Sequence, residues 1–131
     1  MADLPHLINP PFRPLPQSFF NRPVLKVARD LIGCTLVRKN WNKINKISKI
    51  QKYTITEVEA YDGEKDLACH ASKGKTKRNE IMYGHAGFWY VYFVYGFHHM
   101  LNIVTGKKDY PSAVLIRGVS EISGPGKLTK A

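Results

Sequence analysis

The stretch Phe88–Phe97, FWYVYFVYGF, decides how the rest of the chain is interpreted. It holds seven of the fifteen aromatic residues, and such an apolar run is typical of a pleated strand. Tyr95-Gly96 then predicts a turn and Phe97–Thr105 a second strand, so we expect a β-hairpin with an aromatic tip. Tyr95 lies at the bend, where burial is hardest, and an exposed ring there can wedge between bases. The aromatic residues expected in the core are Phe88, Tyr90 and Phe93.

The charge balance narrows the class of partner. The chain has 131 residues, which suits one domain, and its 20 Lys and Arg against 10 Asp and Glu give a net charge of +10. Such a field attracts polyanions, and nucleic acid is the first candidate. A nonspecific basic surface, as in ribosome-associated proteins, is the alternative. Charge alone does not separate the two.

Cysteine usage and hydropathy indicate a cytoplasmic protein without membrane contact. Cys34 and Cys69 are too few and too unpatterned for a disulfide framework, which favours a reducing compartment. The N-terminus has no apolar core typical of a secretory signal. No apolar stretch approaches the length of about 18 residues that a membrane span requires.

The remaining patterns predict a single mixed α/β domain. Residues 1–17 hold five of the eight prolines and are expected to form an irregular arm, with one domain over 18–131. Asn21 as N-cap and Pro23 in the first turn predict a helix through Ile32. Strands are expected at Tyr53–Tyr61 and Ser112–Ser120. The basic stretch 38–52 is expected to be a solvated loop or hairpin, with a short amphipathic element as the alternative. The expected architecture is an antiparallel sheet with a protruding aromatic hairpin and short flanking helices.

Glu57 and Glu59 give the strongest chemical signal. On a regular strand they share one face about 7 Å apart. Inverting glycosidases hold two carboxyls roughly that far apart, but on opposite sides of the scissile bond. The pattern therefore favours one lone carboxylate that activates a water, with a surface role on an edge strand as an equally open alternative.

Two other patterns do not support a cofactor or metal site. Gly74-Lys75-Thr76 lacks the earlier glycine of a phosphate-binding loop, since Cys69 stands at that position. The sequence has no HExxH or CxxC, and neighbouring Cys69 and His70 do not make a preorganised nucleophile and base. We therefore expect no metal, no cofactor and no thiol chemistry.

Several segments together resemble the alkyladenine (3-methyladenine) DNA glycosylases of the mammalian type. They appear in the family's order from about Leu15 to Ala131: FFNRPVLKVARDLIGCTLV from Phe19, ITEVEAYDG from Ile55, His70, TKRNEIMYG from Thr76, GFWYVYFVYGFHHMLNIV from Gly87, and AVLIRGVSEISGPGKLTKA from Ala113. Two departures stand out. In the family the chain continues past GPGKLTKA, so we expect a monomeric domain with exposed apolar surface near its C-terminus, with association with another chain through that surface as the alternative. His98 stands where an apolar or aromatic residue is expected.

The resemblance implies a role for each matching residue. Glu59 falls on the general base that activates the attacking water, and Arg117 on the residue that orients this water. Asn102 falls on the position that selects against normal guanine, and Tyr95 on the side chain that enters the minor groove. The residues that fall on the groups enclosing the flipped base are Tyr61, His70 and Tyr92.

The implied activity is excision of alkylated or deaminated purines from double-stranded DNA, leaving an abasic site, without a cofactor. Such an enzyme would work at the nucleoid in a bacterium and in the nucleus of a eukaryote. A second interpretation is a nucleic-acid-binding module without catalysis, because the family shares its fold with an RNA-binding domain attached to a formyltransferase.

Overall fold

The computed structural model describes residues 6–9, 13–94 and 98–120, and this part of the chain contains seven strands and three short helices. The strands are β1 (His6–Asn9), β2 (Arg13–Pro14), β3 (Thr35–Trp41), β4 (Ser48–Asp62), β5 (Trp89–Val94), β6 (His98–Val104) and β7 (Ser112–Val119). The helices are α1 (Gln17–Phe20), α2 (Val24–Leu31) and the 3-10 turn η1 (Glu80–Tyr83).

All seven strands form one sheet in the order β2-β1-β3-β4-β7-β6-β5, with antiparallel neighbours throughout. This confirms the expected α/β domain with an antiparallel sheet and short helices. β5 and β6 pair from Trp89 opposite Ile103 to Val94 opposite His98. The two strands of the expected aromatic hairpin are therefore neighbours, while its tip at Tyr95 lies outside the described residues.

Helix α2 covers one face of the sheet, and the main core lies between them. Its four buried residues recur at helical spacing: Val24, Val27, Ala28 and Leu31. The sheet contributes buried side chains that include Leu36, Ile55, Leu101, Ile103, Val114 and Ile116. Burying each such side chain stabilises the fold by about 1.5–3 kcal/mol, so this core fixes the position of the sheet.

Residues 63–88, between β4 and β5, fold over part of the opposite face. Cys69, Ala71, Met82 and Tyr83 from this segment form a second buried cluster with Tyr90, Val104 and Ala113 of the sheet. Alternation along the strands separates the clusters, because Ile103 and Val114 point to α2 while Val104 and Ala113 point to the segment. The sheet is thus covered on both faces by different parts of the chain.

The start of α2 differs from the sequence prediction. Pro23 is the N-cap, and Asn21 instead ends α1, where its backbone N–H donates to the Gln17 carbonyl at 3.1 Å. No side-chain hydrogen bond caps the first turn of α2, and Pro23 itself has no N–H that would need a partner. At the other end Gly33 adopts φ +87°, a left-handed conformation that glycine accepts without strain.

Part of the proline-rich arm expected over residues 1–17 is regular. His6–Asn9 pairs with β3, and Arg13–Pro14 pairs with His6–Asn9 in turn. Leu7 and Ile8 are buried, which explains why this apolar stretch joins the sheet. A domain boundary at residue 17 remains a prediction.

The aromatic residues expected in the core behave differently from one another. Tyr90 is buried, as predicted, but Phe88 is 60% exposed because it precedes β5 rather than lying within it. The side chain of Phe93 lies outside what the structure describes. Residues 38–52 form a hairpin between β3 and β4, one of the outcomes expected for that stretch. The exposed apolar surface expected near the C-terminus involves residues 121–131, which lie outside the described residues.

Strand β4 is irregular where the two glutamates lie. Its pairing with β7 shifts register between Ile55 and Glu57 and again between Glu57 and Val58. Gly118 lies opposite Glu57, and a Cβ there would lie only 3.4 Å from Glu57 Oε2. The regular alternation predicted for Tyr53–Tyr61 is therefore wrong at this point, and the 7 Å spacing argument no longer applies to the two carboxylates.

Candidate active site

The strand register places one row of side chains across four strands, on the face that residues 63–88 partly cover. Tyr90 pairs with Asn102, Asn102 with Leu115, and Leu115 with Glu59. Neighbouring strands lie about 4.8 Å apart, so the Cα atoms of Glu59 and Asn102 are about 10 Å apart. Two residues far apart in the sequence thus lie in one row.

The carboxylate of Glu59 has two polar neighbours. The Tyr61 hydroxyl donates a hydrogen bond to Oε2 at 2.6 Å, and Arg117 Nε lies 3.5 Å from Oε1. Burial, and then this hydrogen bond, raise the pKa of Tyr61 to about 12, so the phenol stays a neutral donor near pH 7. An ionised carboxylate has about four lone-pair sites, which leaves acceptor capacity for a water.

An open cleft of about 660 Å³ runs beside Glu59. It follows the edge of β4 beyond Thr54, where pairing with β3 ends. Leu25, Arg29 and Ile32 of α2 line one side, and residues 56–60 with Arg117 line the other. The half-exposed carboxylate is therefore open to solvent from this side.

Aromatic side chains stand next to Glu59 in a stack. The rings of Tyr61 and His70 are within 17° of parallel, with centroids 6.2 Å apart. His70 stacks on Tyr92 at 3.7 Å, and Tyr90 meets His70 edge-on at 6.0 Å. The guanidinium of Arg78 lies over the other ring of this stack, 4.6 Å from the Tyr92 centroid. The fold thus brings Tyr61, His70 and Tyr92 together, and Tyr61 connects their stack to Glu59.

His70 is held in its neutral form by its surroundings. Burial, and then the positive charge of Arg78, lower the pKa of His70 below its ordinary 6.5. Its Nδ1 lies 3.4 Å from the Tyr90 hydroxyl. Near pH 7 the aromatic stack therefore carries no charge on the imidazole.

Asn79 holds the loop that carries His70. Its side chain is 3% exposed and donates through Nδ2 to the carbonyls of His70, at 3.2 Å, and Gly74, at 3.0 Å. Its Oδ1 accepts from the Thr76 N–H at 2.7 Å. One buried amide thus ties together three points of the loop and fixes the backbone of His70.

Three carboxylates that follow Glu59, those of Asp62, Glu64 and Asp66, accept hydrogen bonds at the end of β4 and in the segment 63–88. The Tyr83 hydroxyl donates to Glu64 at 2.7 Å, and the Tyr110 hydroxyl donates to Asp62 at 2.8 Å. Asp66 accepts from the backbone N–H groups of Asp62 and Ala68, both at 3.0 Å. Each of these carboxylates therefore accepts hydrogen bonds from nearby tyrosines or backbone N–H groups, which gives the acids of this basic chain a structural role.

Asn102 and Tyr95 complete the set of residues singled out by sequence. Asn102 is 2% exposed, and its Nδ2 donates to the Met100 carbonyl at 3.1 Å. It lies in the same row as Glu59, on the strand beyond β7. Tyr95 lies outside the described residues, so its placement stays a prediction.

A family model for methylpurine-DNA glycosylases matches residues 18–131. The chain belongs to the methylpurine-DNA glycosylase family. The match takes in every site residue considered above, from Glu59 to Arg117.

Curated relatives of this glycosylase family are longer than the chain. One from Methanocella arvoryzae, named "Putative 3-methyladenine DNA glycosylase", is 51% identical over 110 residues, covering 84% of this chain and 52% of that protein. Proteins of the same name from Rickettsia rickettsii and Myxococcus xanthus are 48% and 45% identical, each covering 89% of this chain and 62% of the relative. The chain thus spans about half to three-fifths of their length.

Three residues of the candidate site were not identified from the sequence. Tyr90 was expected only as core, although its hydroxyl faces His70. Arg78 and Asn79 lie in a basic loop whose spacing gives no sign that one side chain stacks on Tyr92 and the other ties the loop together. From sequence alone, a polar residue at the end of a lysine-rich loop is predicted to be exposed to solvent.

The described residues contain neither a cluster of metal ligands nor a helix that could span a membrane. Within residues 6–9, 13–94 and 98–120, no group of three or more His, Cys, Asp or Glu is arranged to hold a metal ion. No helix in the described part of the chain is long and apolar enough to cross a membrane.

Burial raises the pKa of both thiols, Cys34 and Cys69, which keeps them protonated near pH 7.

Proposed function

We propose that the chain removes alkylated or deaminated purines from double-stranded DNA by hydrolysing the N-glycosidic bond. The observation that carries this proposal is the position of Glu59, a solvent-accessible carboxylate bonded to Tyr61 at the edge of an aromatic stack. Membership of the methylpurine-DNA glycosylase family supplies the class of reaction. The relatives' shared name, which refers to 3-methyladenine, supports a damaged purine as the substrate.

The flipped base is proposed to enter between Tyr61 and His70. Stacked bases are spaced by about 3.4 Å, so a ring held between two others needs about 7 Å between the outer two. The two centroids are 6.2 Å apart, so the rings would need to move apart by less than ~1 Å to admit a purine. Stacking contributes on the order of 1–3 kcal/mol per base, which offsets part of the cost of leaving the duplex.

In the proposed reaction Glu59 acts as the general base. It accepts a proton from the attacking water, whose oxygen bonds to the sugar C1′ as the C1′–N bond breaks and its electrons leave with the purine. The carboxylate also stabilises the positive charge that develops on the sugar. Arg117 lies 3.5 Å from Glu59 and is proposed to orient the water.

Two further residues have proposed roles in choosing and exposing the base. Asn102 lies about 10 Å from Glu59 in the same row, a distance suited to the far edge of a base held in the stack. Tyr95 is proposed to fill the gap left in the duplex, as the family resemblance implies. The role of Asn102 rests on its place in the row, and that of Tyr95 on the family resemblance.

The test is base release from a duplex carrying one ethenoadenine or hypoxanthine, followed by alkali to cleave abasic sites. With enzyme in excess, Glu59→Gln is expected to lower the rate by about 10²–10⁴-fold while leaving duplex affinity nearly unchanged. Glu57→Gln is the matched control, because it makes the same chemical change two residues away in an exposed position. Its rate is expected to stay within a few-fold of the wild type.

Unchanged cleavage by Glu59→Gln would remove that residue from the mechanism. Tight binding to undamaged or abasic duplex without any base release by the wild type would favour the other candidate, a nucleic-acid-binding module. That candidate is kept because the net charge of +10 suits binding to nucleic acid whether or not a base is released.

A further inference from the structure

The hairpin formed by β3 and the first part of β4 carries a charge pattern that the proposed reaction does not use. Residues 38–52, here called the basic hairpin, contain six of the 20 Lys and Arg and none of the ten Asp and Glu. The six are Arg38, Lys39, Lys43, Lys46, Lys49 and Lys52. Fifteen residues thus hold a charge of +6 without a neutralising carboxylate among them.

The turn of the basic hairpin is exposed and internally ordered. Residues 42–47 are all exposed, and Ile44 is 95% exposed. The Asn42 side chain accepts from the Ile44 N–H at 2.9 Å, and the backbone of Asn42 bonds to Lys46 and Ile47 at 2.9 and 3.0 Å. The lysines are therefore presented on a turn with its own hydrogen-bond network rather than on an open loop.

The topology sends this hairpin in the same direction as the hairpin of β5 and β6. Because β4 and β6 both pair antiparallel with β7, they run parallel to each other about 10 Å apart. Measured from the row of Glu59 and Asn102, β6 begins four residues away at His98, about 13 Å. β4 begins eleven residues away at Ser48, about 36 Å. Both hairpins therefore project from one end of the sheet.

Counted along the strands, the start of β4 lies up to about 23 Å farther from the row than the start of β6. This is about seven base-pair steps of 3.4 Å, so a duplex held at the site has phosphates within reach of the basic hairpin. β7 ends at Val119, opposite Ile55, so it does not extend between the two hairpins beyond that level. Among the described residues, no strand therefore lies between the basic hairpin and a duplex placed against β5 and β6 beyond that level.

We propose that the basic hairpin is a second DNA-contacting element that binds the phosphate backbone away from the flipped base. The proposal rests on the proposed function in that double-stranded DNA is the polyanion. Phosphate contacts of this kind position a protein and carry no sequence information. The exposed isoleucines at positions 44, 47 and 50 lie among the lysines and can pack on deoxyribose.

The test is the salt dependence of binding to a duplex that carries one tetrahydrofuran abasic-site analogue, which cannot be turned over. The variant combines Lys39→Gln, Lys43→Gln and Lys46→Gln, all at exposed positions. The slope of log affinity against log salt is negative, and each lost phosphate contact reduces its magnitude by about 0.9. We expect the magnitude of the slope to decrease by about 2–3 and the affinity at low salt to fall tenfold or more.

The matched control removes three charges from other parts of the surface: Lys26→Gln on α2, with Lys107→Gln and Lys108→Gln between β6 and β7. These positions are exposed, and the last two lie at the opposite end of the sheet. The control slope is expected to change by less than about 1. A circular-dichroism melt of each variant checks that the fold is retained, and the single variant Lys43→Glu repeats the test with one substitution.

An equal loss of slope in variant and control, or no loss in either, would overturn the proposal. So would unchanged DNA binding together with loss of binding to vesicles of phosphatidylcholine and phosphatidylglycerol in equal parts, since the hairpin would then be a membrane contact. Failure of the proposed function is seen separately. A wild type that releases no base but shows the hairpin-dependent slope would refute catalysis and support the hairpin.

Discussion

Tyr61 has two contacts that bear on different parts of the proposed reaction. Its ring forms one wall of the aromatic stack, facing His70, while its hydroxyl donates to the carboxylate of Glu59 at 2.6 Å. Hydrogen bonds to an ionised acceptor are short and about twice as strong as neutral ones. A base that stacks on the ring would therefore also fix the hydroxyl, and through it the orientation of the general base.

The protonation state of His70 is expected to determine how the rate of excision of cationic lesions depends on pH. Its pKa lies below 6.5, so it is neutral at pH 7 and gains a proton only as pH falls below its ordinary range. An imidazolium would repel a cationic purine such as 7-methylguanine but not neutral hypoxanthine. The ratio of their single-turnover rates is therefore expected to be constant above about pH 6.5 and to fall below it.

Taking this ratio cancels any effect of pH that acts on both lesions alike. Arg78→Gln supplies the second arm of the measurement, because it removes the positive charge that helps lower the pKa of His70. The fall in the ratio should then begin at a higher pH. A ratio that stays flat between about pH 5 and 8, or moves the other way in Arg78→Gln, would contradict this account.

The element that carries His70 depends on one buried amide. Asn79→Ala leaves the Thr76 N–H and the carbonyls of His70 and Gly74 without their partner. We expect a loss of about 2–3 kcal/mol in the free energy of unfolding, measured by urea titration. Base release with excess enzyme should fall as well, at a temperature where circular dichroism shows the variant folded.

Two companion variants separate positioning from general stability. Asn79→Asp keeps an acceptor for Thr76 but, when ionised, has no donor for the two carbonyls, so it is expected to be no better than alanine. Asn21→Ala changes an exposed asparagine and should leave both measurements within error of the wild type. If Asn79→Ala unfolds at the same urea concentration as the wild type, the amide does not hold this loop.

Regular elements were predictable because periodicity reports burial directly. Alternation located most of β4 and β7, and helical spacing located α2 to within a residue or two. The failures lie where tertiary contacts override local preference. Leu7 and Ile8 join the sheet because β3 offers an edge, and the register of β4 shifts at Glu57, opposite Gly118, where the alternation of the sequence gives no sign of it.

The candidate site was predictable in part for a different reason. Glu59 stood out as an acid inside a strand, but the roles of Tyr61, His70 and Tyr92 came from the family resemblance and not from spacing. Their contacts depend on a loop that folds back over the sheet from residues 63–88. Loop geometry of this kind is set by buried polar groups such as Asn79, whose burial no sequence pattern reveals.

Across the whole molecule, the two faces of the sheet serve different purposes. The face under α2 carries the larger core and has the main part in stability. The opposite face carries the smaller cluster around Met82 and Tyr83, on which the loop bearing His70 is seated. Substitutions in the two cores should therefore have different effects on stability and on base release.

Leu31→Ala and Met82→Ala test this division, since both side chains are fully buried in different cores. Each is expected to lower the free energy of unfolding by about 2–5 kcal/mol. With excess enzyme and at a temperature where both are folded, Leu31→Ala should release base within a few-fold of the wild-type rate. Met82→Ala should be slower by tenfold or more, because the seat of His70 is lost. Equal rates for the two variants would mean that the smaller cluster does not position the aromatic stack, and that its contribution is to stability alone.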